Sequence, residues 1–306
     1  MENRVFKISP APHINKGNGV NKIMLDFIIA LLPVAGAGIY FYENDAIRIL
    51  LASVVACLVS EMVWNKLVKK GPFLTDLSPI VTGLLLGLVM PTHVPVWIVV
   101  VASIFAIIVV KQFFGGLGQN FMNPVAAAKA FLIASWAGVM AKPVVDSVAA
   151  ASGAAEVVTS ASGLPVVETI SLMDQFIGQA KGNIGEVSIL AIVIGGLYLA
   201  FRGRINLRAP LAFIVVSFGM YAYFGKEGLL PGAFFLAAIF MSTDYATSPM
   251  TKCGQYIFGI GLGVIASFIA VQGYNPEGPY YAIILMNLCA PLIEYFTTKK
   301  FKKEVA

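Results

Sequence analysis

Two short stretches hold most of the residue types that do chemistry in this sequence. In "EVVTSASG", Glu156 to Gly163, the Ser162 hydroxyl has Ser160, Ala161 and Gly163 for neighbours. A transferase needs such an acceptor: an accessible hydroxyl on an extended backbone, with small side chains beside it. A segment of this composition is also the ordinary make-up of a solvated loop. In "MSTDYATSPMT", Met241 to Thr251, Asp244 stands among the hydroxyls of Ser242, Thr243, Thr247, Ser248 and Thr251. Oxygen-rich groups at the ends of broken helices coordinate sodium or hold a polar cofactor, while an Asp capping its own turn is the simpler role. Ser248 followed by Pro249 reads there as the start of the next helix.

A third stretch, "FFGGLGQNFMNP", Phe113 to Pro124, has glycines that permit a tight, closely approached backbone. Asn123 followed by Pro124 is a cap and first-position pair that starts a helix, and the amides of such a start suit a phosphate or a flavin. A well-capped membrane span is the plainer account of the same residues. Other ionisable groups lie near the ends of apolar runs: Glu186 in "GNIGEVSILA", and Lys129, Glu61 and Glu294, each within snorkelling reach of an interface. His13 and His93 fall on opposite faces and make no metal site. Cys57, Cys253 and Cys289 are far apart, with no C-x-x-C pair, and read as small apolar packers.

The elements that position these groups are membrane helices. Of 306 residues, 58% are hydrophobic and 12% charged, where soluble domains carry about a quarter charged. Mean hydropathy is +0.83. The chain reads as an all-α polytopic membrane protein with no nucleic-acid partner. At about 20 apolar residues per crossing, ten segments emerge: 24–42, 46–68, 78–91, 94–111, 124–141, 184–201, 209–225, 229–243, 254–272 and 279–298. The third, "LSPIVTGLLLGLVMP", and the eighth, "LLPGAFFLAAIFMST", are short and carry Pro and Gly, as broken helices do.

With the N-terminus in the cytoplasm, most Lys and Arg fall inside and only Arg48, Lys142, Lys181 and Lys226 outside. Both termini are then cytoplasmic, and Ser162 lies on the outer face. The polar, basic stretch before Met24 lacks the layout of a cleavable signal peptide, so the first span is expected to serve as its own insertion signal. The expected organisation is a tail at 1–23, five helices in 24–141, an extracytoplasmic loop at 142–183, five helices in 184–298 and a basic tail at 299–306. Five crossings per half require any repeat between the halves to be inverted. "LVMPT" against "IFMST" and "NFMNP" against "GYNP" pair corresponding positions in the two halves.

Taken together, "SPAPHI", "DLSPIVTGLLLGLVMP", "FFGGLGQNFMNP", "IGEVSILAIVIGGLYL" and "STDYATSPMT" resemble the landmarks of the RnfD/NqrB family of membrane flavoproteins, in order along the chain. Lacking a long N-terminal extension, the chain is more similar to the RnfD branch. The resemblance implies ten helices in two inverted five-helix repeats, similar to urea and ammonium channels. It implies a subunit of an Rnf complex that couples ferredoxin/NAD electron transfer to transport of Na+ or H+ across a prokaryotic cell membrane, with NAD handled by another subunit. It also implies FMN joined through its phosphate to a threonine in an outer-face motif similar to D-x-V-[ST]-[SG]-A-T. On this sequence that motif falls on "EVVTSAS": Glu156 replaces the Asp, and Ser162 stands where the family has its anchor threonine. Thr159 is the fallback anchor, attachment would be made by a partner flavin transferase, and FMN held without a covalent link is a third form. A second, non-covalent flavin such as riboflavin is expected at Gly116, Asn120, Asn123, Thr247 and Ser248, and an ion path at Thr82, Thr243 and Asp244. The competing expectations are a passive solute or ion channel of similar fold, and a scaffold subunit with a degenerate flavin site.

Overall fold

The computed structural model describes residues 19–68, 76–140, 172–178, 182–226, 228–273 and 275–303. Thr159 and Ser162, with the rest of the expected attachment loop up to residue 171, lie outside the described residues, as do residues 1–18 and 304–306. All regular structure among the described residues is helical.

Helix α1, Val20–Val68, is two apolar segments joined at a kink where Glu43 adopts φ 48°. It is followed by α2 (Ser78–Leu88), α3 (Val96–Ile104, running on as π-helix Phe105–Gln112), α4 (Pro124–Ser135), α5 (Ala137–Met140) and α6 (Leu172–Ile177). Then come α7 (Ile189–Phe201), α8 (Arg208–Tyr223), α9 (Gly232–Leu236, running on as π-helix Ala237–Met241), α10 (Lys252–Gln272) and α11 (Gly278–Lys303). Among the described residues three stretches are long and apolar enough to cross a membrane, Val20–Val68, Lys252–Gln272 and Gly278–Thr298; six helices or helix pairs are apolar but shorter.

Outward-facing leucines and valines such as Leu32, Leu51, Val55 and Leu211 show what surrounds the bundle. Water would penalise so continuous an apolar surface, and lipid does not. Inside, α1 packs on α2 and α3, and α10 packs on α8 and α11. The two halves touch where α1 meets α7 and where α4 meets α11. At the first of these contacts a Cβ on Gly195 would lie 2.2 Å from the Ala30 carbonyl oxygen, so the helices approach to backbone contact.

The two short helices differ from the expected breaks. Pro79 sits in the first turn of α2 and Pro231 caps α9, so each proline opens its helix and neither interrupts one. At 1.5 Å per residue the 11-residue α2 is about 16 Å long, roughly half a hydrocarbon core. Its C-terminal carbonyls are satisfied by a distant loop: Gly185 N–H donates to Leu88 O at 2.7 Å and Ile184 N–H to Met90 O at 3.1 Å. Lys129 Nζ donates to Val89 O at 2.7 Å. Backbone that would otherwise be stranded in an apolar interior is thus paired.

Candidate functional site

At the end of the bundle where α1 begins, both π-helical segments run into polar turns. The first ends in the glycine-rich turn, where Gly116 has φ 101° and donates its N–H to Lys111 O at 3.0 Å. Only glycine takes that conformation without strain. Asn123 then caps α4 as the sequence predicts, its Oδ1 accepting from Val125 N at 3.0 Å and Ala126 N at 3.1 Å. The second π-helix ends at Ser242, and Asp244 closes the turn that follows. Its carboxylate accepts from Ala246 N at 3.3 Å and from the Thr247 hydroxyl at 3.2 Å. Burial pushes the Asp244 carboxyl above the usual range, against hydrogen bonds from Ala246, Thr247 and Asn120 that pull it down.

Six of the predicted residues fall into two cavities that share Tyr245. One, of about 90 Å³, is lined by Thr82, Asn120, Asn123 and Asp244 together with Ser78 and Lys111. The other, of about 310 Å³, is lined by Thr243 and Ser248 with Arg204, Asn206, Ser242 and Gln255. Gly116 and Thr247 line neither. The expected ion path is therefore divided, with Thr82 and Asp244 in the first cavity and Thr243 in the second. The Thr82 and Thr243 hydroxyls each donate to a carbonyl one turn back, at 3.0 and 2.7 Å, which leaves their lone pairs for any cation.

A flavin meets a different limit in each cavity. The first offers the right chemistry for the polar edge of an isoalloxazine, with amide donors and acceptors beside an ammonium and a carboxyl. At about 90 Å³ its enclosed part takes only that edge, since pockets for ligands of this size begin near roughly 300 Å³. The second has the volume but fewer of the predicted residues.

Several expectations need correction. Ser248 and Pro249 do not start α10; Thr251 caps it, its hydroxyl accepting from Gly254 N at 3.1 Å, while Ser248 Oγ donates to Asp244 O at 2.7 Å. Lys129 and Glu61 do not snorkel: they are 0% and 3% exposed. Glu61 is paired with Lys111 at 2.7 Å, so the interior compensates both charges and neither needs an interface. Glu186, expected to reach water, is also buried, under Asn183 and Tyr280. Cys57 packs inside, but Cys253 and Cys289 face outward.

Sequence reasoning passed over Asp26, whose oxygens receive Arg204 Nε at 2.6 Å and Arg202 Nη2 at 3.1 Å. An acid in the first turns of an otherwise apolar run was the available signal. It also passed over Glu277, the residue after the Asn275-Pro276 pair. Among the described residues no group of His, Cys, Asp and Glu is arranged to hold a metal ion.

The sequence profile of the NQR2, RnfD, RnfE family matches residues 7–303. The chain is 41% identical to the D component of the Na(+)-translocating ferredoxin:NAD(+) oxidoreductase complex of Acetobacterium woodii, with 97% of each chain covered. It is 35% identical to the D component of the proton-translocating ferredoxin:NAD(+) oxidoreductase complex of Clostridium ljungdahlii, covering 97% of this chain and 96% of that one. It is 29% identical to the D component of the ion-translocating oxidoreductase complex of Methanosarcina acetivorans, covering 96% of each.

Proposed function

Because the chain belongs to the NQR2, RnfD, RnfE family, we propose that it is the flavin-bearing RnfD component of an ion-translocating ferredoxin:NAD oxidoreductase complex, relaying electrons in a prokaryotic cell membrane. The observation that supports this most is similarity to such components from end to end: 41% identity over 97% of both chains. One relative is named for sodium and another for protons, so membership leaves the coupled ion open between Na+ and H+.

The reading includes ten crossings in two inverted repeats with cytoplasmic termini. The contact pattern supports the repeat, since the first crossing meets the sixth where α1 packs on α7, and the fifth meets the tenth where α4 packs on α11. Short α2 and short α9 fall at the third and eighth positions. Other subunits of the complex supply the NAD site and exchange electrons with this one.

In this reading FMN is esterified to Ser162 by a flavin transferase, with Thr159 as the fallback. Bound FMN supplies one- and two-electron transfer; the chain supplies position and tuning of potential. A second, non-covalent flavin would bring its polar edge to Asn120, Asn123, Lys111 and Asp244, with the rest of the ring in the open mouth of that cavity. No observation favours the channel reading over this one.

The test is fluorescence of the denatured subunit in a gel after coexpression with the transferase. A fluorescent band that S162A abolishes and T159A retains is expected. A dark wild-type band overturns covalent attachment, and a band that survives S162A moves the anchor elsewhere.

A further inference from the structure

At the end of the bundle opposite Asp26, two buried charges and one half-buried charge from three separate elements converge. Lys129 of α4 sets Nζ 2.9 Å from Glu277 Oε1. Glu186, in the loop before α7, accepts from Asn183 Nδ2 at 2.7 Å, from Asn183 N at 3.3 Å and from the Tyr280 hydroxyl. Asn183 Nδ2 also lies 3.4 Å from Glu277 Oε1, so the two carboxylates converge on a single amide nitrogen. The other groups facing them are the Tyr280 and Tyr281 hydroxyls, and Lys129 sits 5.8 Å from the Tyr280 ring. Glu277 Oε2 is buried and has no hydrogen-bond partner among the described residues.

Among the described residues one ammonium faces two carboxylates, Lys129 is wholly buried, and Glu186 is 8% exposed. Two carboxylates that meet at one amide nitrogen in an apolar surround repel each other, and a positive charge between them relieves that repulsion. A sodium ion is disfavoured: the Lys129 ammonium holds the position a metal would take beside Glu277, and Glu186 is already ringed by donors. A proton needs no such space. Glu277, with 18% of its side chain exposed, is the member within reach of water.

We propose that Glu186 and Glu277 share one exchangeable proton against Lys129, forming a proton site at the seam between the two halves. On release, an O–H bond of the carboxyl pair breaks, its electrons stay on the carboxylate, and the proton passes through Glu277 to water as hydronium; uptake is the reverse. The seam location follows from the elements: α4 brings Lys129 from the first half, while Glu186 and Glu277 come from the second. Val89 O, at the C-terminal end of short α2, receives the same ammonium. The ammonium that faces the carboxyl pair therefore also holds the end of that helix. Any part in ion translocation rests on the proposed function, but the site itself does not.

The experiment is infrared difference spectroscopy of the purified complex in lipid, stepped in pH with no electron donor present. One carboxyl carbonyl band should appear as pH falls, shift in deuterated water and disappear in both E186Q and E277Q. In K129M the proton is held more tightly, so half-occupancy should need about tenfold less proton, equivalent to one pH unit. E186D keeps charge and fold should E186Q fail to assemble, and it should move the band. A wild-type spectrum without a titrating carboxyl, or a band that these variants leave unchanged, overturns the proposal and makes the cluster a static brace. Because no electron flow is needed, a wrong reading of the relay function would leave the band in place.

Discussion

Lys111 and Glu61 meet at 2.7 Å inside the first half of the bundle, with 3% and 4% of their side chains exposed. The Lys111 ammonium also donates to Ser78 Oγ, at the first residue of α2. One contact thus ties α1, the π-helix after α3 and the start of α2, and it borders the cavity of Asn120 and Asp244. Removing one partner leaves a buried charge alone, which costs about 3–5 kcal/mol. K111M should therefore unfold at markedly lower temperature than wild type, and K111M/E61L should recover most of the loss. Thermal unfolding of the purified complex measures both; equal loss in the single and double variants would show that the pair contributes no mutual stabilisation.

Asp26 performs the corresponding task between halves, holding Arg202 and Arg204 of the second half with the carboxylate of α1. The two arginines are unequal, since Arg204 is 11% exposed and Arg202 is 45% exposed. D26N should weaken docking of the halves by about 3 kcal/mol, because it removes the carboxylate charge that faces the buried Arg204 guanidinium. R202Q should cost clearly less, because an exposed ion pair is screened by solvent. Protease sensitivity of the 202–208 turn in lipid reads the difference, and equal sensitivity of the two variants would refute the ranking.

Asp244 gives a pH dependence whose sign follows from burial. Its folded-state carboxyl titrates above the unfolded value of about 3.9. Between those two points the folded form holds a proton that the unfolded chain has released, so stability falls as pH rises through the window. Below the window the contribution is fully present. D244N stays neutral and should lack this decline, so wild-type minus D244N melting temperatures should fall with rising pH. A flat difference would mean that the turn's donors offset burial completely.

The sequence made the local features legible and the seam illegible. Asn123 and Pro124 start their helix as their types require, and the kink at Glu43 falls in the gap between the first two apolar runs. Capping is a short-range matter of side-chain oxygen and adjacent amides, and a few residues contain all of it. Ser248 misled because Ser-Pro suits either a turn or a helix start, and Asp244 took its hydroxyl first. Lys129, Glu186 and Glu277 are separated by up to 148 positions yet meet through Asn183. A charge in an apolar run is equally consistent with snorkelling and with a buried pair. Only the packing of α4 against α11 decides between them.

The packing of α9 against the loop of Glu186 makes Gly232 irreplaceable in a way its neighbours do not reveal. A Cβ there would lie 1.9 Å from Glu186 O and 2.7 Å from Glu186 C, both backbone atoms that cannot rotate away. G232A must push α9 and the 182–188 loop apart. That loop carries the amides of Ile184 and Gly185 that satisfy the end of α2, so the damage extends to a second helix. Overpacking of this kind costs about 1–3 kcal/mol, and the lost hydrogen bonds add to it. Gly219, in α8, has nothing within 4 Å of a built Cβ, so G219A should be neutral or more stable by up to about 1 kcal/mol. Melting temperatures of the two variants measured side by side decide the matter. Equal effects would mean that the Gly232 contact relaxes freely, and the carbonyl of Glu186 would then not be fixed by α9.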